Sequence, residues 1–197
     1  MSETRTNKLL ALPLADVLAR AKLGPGPGVL VAGLSTIDQV ITALAGAGFG
    51  VEATRVVAHA LPKREAVWWA AMCTSFTAPA DLPPPNRAAV DAAQAWVRQP
   101  VQDAAYGAQA AAQLTNLQSP EYWAAMAAFW GGESLSQPGL PPVPPPPHLP
   151  GVAVAGAVVL ASVRGDAQRQ PQRVVQFLHS AYDIAAGGSG RLNPEAA

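Results

Sequence analysis

Alanine constrains this chain more than any other feature. Of 197 residues, 41 are alanine, gathered in blocks that 20 prolines and 17 glycines interrupt at helical lengths. Alanine has the best intrinsic helix propensity and adds almost no side-chain volume. Blocks of it, cut by residues that stop helices, predict an all-α fold of close-packed segments. Evidence for strands is thin. The run Val29-Leu30-Val31 is too short to argue a sheet.

The punctuation sets the expected boundaries. Residues 13–22 form a short amphipathic helix, with Gly24-Pro25-Gly26-Pro27-Gly28 behind it as a breaker. Ser35 is placed to cap the next helix, with Asp38 three positions on, a variant of the capping box. That helix carries Ile37, Val40, Ile41 and Leu44 on one face and stops between Gly46 and Gly50. Further helices are expected at 52–60, from Pro62 to about Phe76, at 86–98 and at 101–114. Ser119-Pro120-Glu121 is a helix start, with a capping serine, proline at the first position and an acid in the first turn. That helix ends at Gly131-Gly132. The tract 138–150 can only be extended, an apolar helix follows at 152–163, and the last runs from about Pro171 to Gly187. The expected architecture is a compact bundle, or a short array of helical hairpins, of about eight helices with a proline-rich strap. Residues 1–34 read as an N-terminal segment, 35–188 as a single helical domain and 189–197 as a disordered tail.

An internal echo would suit the array, although only two copies match well and alanine-rich helices also resemble one another by chance. Trp68-Trp69-Ala70-Ala71-Met72 resembles Tyr122-Trp123-Ala124-Ala125-Met126 at an offset of 54 residues. The five tryptophans all fall in alanine-built helices. Their expected role is to fill the volume that small neighbours leave, with an exposed aromatic patch as the alternative. Adjacent Trp68 and Trp69 point about 100° apart on a helix, so one face cannot bury both.

Charge and composition exclude several functions. Thirteen basic against thirteen acidic residues offer no basic excess for sequence-independent nucleic-acid binding. One cysteine excludes a disulfide framework, and three scattered histidines argue against a metal centre. His179 and Asp183, one turn apart, suit a surface ion pair. No phosphate-binding glycine motif occurs, and no cofactor is expected. The longest apolar run, Gly151 to Val163, has thirteen residues. A membrane span needs about 20, so the run reads as a core helix. The apolar stretch at 9–14 is too short and too broken for a secretory signal. A cytoplasmic protein is expected.

The segment from His59 to Trp68 offers the candidate site. With Pro62 at the helix start, Lys63 and Arg64 occupy a first turn where the macrodipole disfavours positive charge. A partner carboxylate, a carbonyl-rich helix end or an anion would compensate. A structural alternative has Arg64 stacking on Trp68 and Glu65 bonding a neighbouring helix. His59, Lys63, Arg64 and Trp68 are therefore the partner-binding candidates. A rival reading places an enzyme site around His59, Arg64, Glu65 and Cys73, though no nucleophile, base and orienting group stand in a recognisable spacing. The proline tract reads as a strap whose Leu140, Val143 and Leu149 pack on the body. Alternatively, Pro142-x-x-Pro145 could dock an aromatic groove.

The segment Leu61-Pro-Lys-Arg-Glu-Ala-Val-Trp-Trp-Ala70, the Trp96 helix, Tyr122-Trp123 with Phe129-Trp130, and the strap Pro144-Pro-Pro-Pro-His148-Leu-Pro-Gly151 together resemble an uncharacterised bacterial family of small helical proteins. Members are often encoded near type VI secretion genes. The resemblance covers roughly 50–185 and carries no assigned chemistry. It implies an accessory or adaptor role. With the charge and run-length arguments above, the leading expectation is a non-enzymatic interaction module: an adaptor, chaperone or accessory protein of a secretion system whose partner is another protein, not nucleic acid or membrane. A membrane-associated protein using residues 151–163 is a third class.

Overall fold

The apolar run begun at Gly151 becomes the central helix of the molecule. A computed structural model describes residues 7–10 and 12–195. Ten α-helices follow one another: α1 (Leu14–Ala21), α2 (Pro25–Val31), α3 (Ile37–Gly46), α4 (Gly50–Ala60), α5 (Lys63–Phe76), α6 (Pro84–Arg98), α7 (Gln102–Gln113), α8 (Pro120–Gly131), α9 (Leu149–Val163) and α10 (Gln170–Ala185). Single 3-10 turns lie at Lys8–Leu10 and Ala167–Arg169. Helix covers 67% of the described residues, and no strand occurs among them. The all-α expectation holds. Residues 1–6 of the expected N-terminal segment, Ala11 and the last two residues of the tail lie outside the described residues.

Helix α9 packs against α4, α5, α8 and α10. Gly151, Ala153, Ala157 and Ala161 are all buried along it. Such small side chains let neighbouring backbones approach closely, and larger groups from those neighbours fill the space. The Trp123 ring lies 3.3 Å from where a β-carbon on Gly156 would stand. Helices α6 and α7 pack on each other and on α8, while α1 and α3 pack on α4.

Several boundaries differ from expectation. Gly24 to Gly28 is not a breaker: Pro25 and Pro27 sit in the first turn of α2, where missing amides cost nothing because those positions have no intrahelical acceptor. Val29-Leu30-Val31 completes that helix. The cap of α3 is Thr36, one residue beyond Ser35, and its box partner is Gln39. Threonine oxygen accepts from the Gln39 amide (3.2 Å) while the Gln39 side chain accepts from Thr36 N–H (3.2 Å). Helices α6 and α9 begin earlier than expected, again by admitting prolines into their first turns. In the strap, Leu140 and Val143 are exposed instead of packed. The strap is held through its backbone: Leu135 N–H donates to Val143 O (2.8 Å), and Val143 N–H donates to the buried Ser134 hydroxyl (3.0 Å).

The tail also departs from the expected disorder. Glu195 N–H donates to Phe76 O at the end of α5 (2.8 Å). The Glu195 carboxylate pairs with Arg173 (2.7 Å) and Arg169 (3.1 Å). Arg173 is only 4% exposed, and its Nη1 donates to the carbonyls of Ser162, Arg164 and Asp166. One guanidinium thus caps the negative end of α9 and holds the tail. Asp183 accepts from Gly190 N–H (2.7 Å); no His179–Asp183 ion pair forms.

A second buried charge stands at the start of α8. The Glu121 side chain is fully buried, pairs with Arg164 and accepts from Asn86 Nδ2 (3.0 Å). Removing one partner of a buried pair strands the other charge, at a cost of about 3–5 kcal/mol. Urea denaturation of Glu121→Leu should show a loss of that size. The double variant Glu121→Leu/Arg164→Met should recover most of it, because no unpaired charge remains.

The echoed tryptophans are not equivalent. Trp69 is fully buried, and its Nε1–H donates to Phe177 O (2.8 Å). Trp123 is only half-buried and donates to Leu117 O (2.9 Å). The alanines beside both rings are buried, so the echo repeats the small neighbours and not the environment of the large ring. Trp69→Ala should therefore cost about 3–5 kcal/mol and Trp123→Ala about 1–2 kcal/mol, read as shifts in chemical denaturation midpoints.

Candidate functional site

The α4–α5 corner carries the candidate residues. Leu61 and Pro62 turn the chain sharply. Pro62 is the N-cap of α5, one position outside its expected place. The first intrahelical bond of α5 is Ala66 N–H to Pro62 O (2.9 Å), which leaves the amides of Lys63, Arg64 and Glu65 ahead of the ladder. Cavities open on both sides of this corner.

The first, about 280 Å³, is lined by Lys8, Arg64, Glu65, Trp68, Arg98 and the end of α10. Arg64 Nε–H donates to Val97 O (2.6 Å) in the last turn of α6. Its cation thus sits at the negative end of another helix, and the compensating partner for the disfavoured charge lies within the chain. Glu65 pairs with Lys8 (2.6 Å). Trp68 is half-buried and donates from Nε1 to Ser189 O (2.6 Å), so the ring is pinned by the tail. Of the two adjacent rings, Trp69 takes the core and Trp68 the surface.

The second cavity, about 340 Å³, lies between α1, α4, the start of α5 and the start of α9. Arg20, His59 and Lys63 supply its charged and titratable groups. Lys63 is exposed, whereas His59 is 5% exposed. The imidazole rests against Gly151, where a β-carbon would collide with Nδ1. Burial, with Arg20, His148 and Arg55 nearby, pushes the His59 pKa from 6.5 down to about 4, so the ring is neutral at pH 7.

The four candidates therefore divide in pairs. His59 and Lys63 share one cavity; Arg64 and Trp68 share the other. Cys73 reaches neither. It is fully buried, and burial pushes its thiol well above the ordinary range, away from the nucleophilic thiolate. Among the described residues no group of three His, Cys, Asp or Glu side chains is placed to hold a metal. No single described helix is long and apolar enough to cross a membrane. A third depression, about 460 Å³, has the Glu121–Arg164 pair in its wall. Sequence reading missed Arg20, which shares the second cavity, because an isolated arginine on a short amphipathic helix gives no signal of what it faces.

Residues 40–185 match the family described as Family of unknown function (DUF6931), and the chain belongs to that family. No curated protein and no solved structure matches it.

Neutral His59 makes stability depend on pH. In the unfolded chain the imidazole takes a proton below about 6.5; in the folded protein it does so only near 4. The contribution is complete above pH 6.5 and is lost progressively as pH falls toward 4. The denaturation midpoint of the wild type should fall more steeply across that window than that of His59→Phe, which keeps a ring against Gly151 but cannot titrate. Equal slopes would show that the site is not held neutral.

Proposed function

We propose that this member of the family is a non-enzymatic interaction module that docks an acidic protein surface on the end of the molecule around the start of α5. The supporting observation is charge segregation. The chain as a whole has 13 cations and 13 acids. Yet the two cavities at this end are lined by Lys8, Arg20, Lys63, Arg64 and Arg98 against a single acid, Glu65, which already pairs with Lys8. Complementary charge at an interface rim speeds encounter and suppresses wrong partners. Lys63 and Arg98 are exposed and free to meet such a partner. The enzyme reading has less support, since Arg64 and Glu65 line one cavity, His59 the other, and the Cys73 thiol neither.

The finer assignment is an adaptor, chaperone or accessory protein of type VI secretion, acting in the cytoplasm. It rests on the resemblance of the tryptophan-bearing helices and the proline strap. The test is capture from the native host with the wild-type chain and with Lys63→Glu/Arg98→Glu. One acidic protein should be retained by the wild type, released as salt is raised, and lost from the double variant without a change in thermal unfolding. Retention of the same proteins by both chains at low salt would remove the basic end as the docking surface.

A further inference from the structure

The second cavity has features that a protein docking surface does not require. We propose that the cavity between α1, α4 and the starts of α5 and α9 is a binding site for a small organic carboxylate, its charge held by Arg20, Lys63 and helix amides beside His59 and its apolar body held by the walls. This goes beyond the docking reading and stands without it.

Two helix N-termini meet here. Neither Pro62 nor His148, their N-caps, supplies a side-chain cap. In α5 the amides of Lys63, Arg64 and Glu65 precede the first helical bond. In α9, Leu149 N–H is bonded to Pro146 O and Val152 N–H to His148 O, while Pro150 has no amide hydrogen. Gly151 N–H remains ahead of the ladder. Uncapped amides at the positive ends of helices favour an anion.

The side chains agree independently. His59 is more than nine-tenths buried and lines the cavity, yet it has no hydrogen-bond partner among the described residues. Arg20 has no ion-pair partner among them either. No acid lines the cavity. The ring as a whole is buried but its nitrogens are not shut off from the cavity, and an imidazole without a protein partner, set beside two cations, suits a ligand that accepts hydrogen bonds. The neutral His59 ring has one N–H to donate, and an anion there would also raise its proton affinity.

The remaining wall defines the rest of the ligand. Leu12, Ala58, Leu61, Ala66 and Pro150 are apolar. A volume of 340 Å³ lies near the small end of ligand sites, which span about 300–1,000 Å³. Inorganic phosphate carries charge on every side and would press oxygens against those walls without hydrogen bonds. A monocarboxylate places its charge at one end and carbon against the rest.

The experiment is a titration of the purified chain with hexanoate at pH 7, followed through the His59 ring signals by NMR, assigned with His59→Phe. Hexanamide serves as the neutral isostere and inorganic phosphate as the compact anion. A saturable His59 shift with hexanoate, absent with hexanamide, is expected. Saturating hexanoate should also move the His59 titration midpoint upward. Lys63→Glu should weaken binding tenfold or more; Lys63 is exposed, so thermal unfolding should stay unchanged. The proposal is overturned by no saturable response to hexanoate at millimolar concentrations. An equal response to hexanamide, a response to phosphate alone, or undiminished binding by Lys63→Glu overturns it as well.

Discussion

The close approach of neighbouring helices to α9 is the constraint on which the rest depends. Gly151, Ala153, Ala157 and Ala161 give that helix little side-chain volume of its own. Van der Waals contact is lost quickly with distance, so α4, α5, α8 and α10 must come near it to bury anything. Volume is then supplied from the neighbours, by Trp123 against Gly156 and by His59 against Gly151. A helix surrounded this closely cannot solvate its ends freely. Its C-terminal carbonyls are met by the buried Arg173, which draws Glu195 and the tail onto the body. Its N-terminal end has no side-chain cap and opens into a cavity. The asymmetry between the two ends is a direct consequence of placing a small-residue helix at the centre.

Much of this fold was legible because alanine blocks and proline or glycine punctuation act locally. Ser119 and Pro120 start α8 as their chemistry dictates, and Gly46 ends α3. The departures share one physical cause: the same residue has different effects at different helix positions. Proline breaks a helix interior but suits a first turn, so Pro25, Pro84 and Pro150 begin helices where a loop or strap was expected. Residues Ser35 and Thr36 are both competent caps, and only the reach of Gln39 chooses between them.

The site was legible in part. The disfavoured charge at the start of α5 correctly marked a place needing compensation. Sequence could not reveal that Arg64 finds it at the end of α6, because that carbonyl lies far along the chain. Glu121 gave no warning of burial, since an acid in a first turn is already explained by the helix dipole. Arg173 gave none either: its role depends on three carbonyls around the end of α9 and on a carboxylate in the tail, which meet only in the folded chain.

Zero net charge conceals how the acids are placed. Glu65, Glu121 and Glu195 are each engaged by Lys8, Arg164 or the Arg169–Arg173 pair. These pairs stabilise the joints between elements distant in sequence: the N-terminal turn with α5, α8 with the end of α9, and the tail with α10. No acid faces the second cavity, where Arg20 and Lys63 stand beside a histidine kept neutral by burial. An apolar residue at position 59 could pack on Gly151 without desolvating an imidazole or being repelled when protonated. The bonded carboxylates join elements distant in sequence, whereas, among the described residues, Arg20 and Lys63 make no ion pair and the His59 ring packs on Gly151 with no hydrogen bond to the protein.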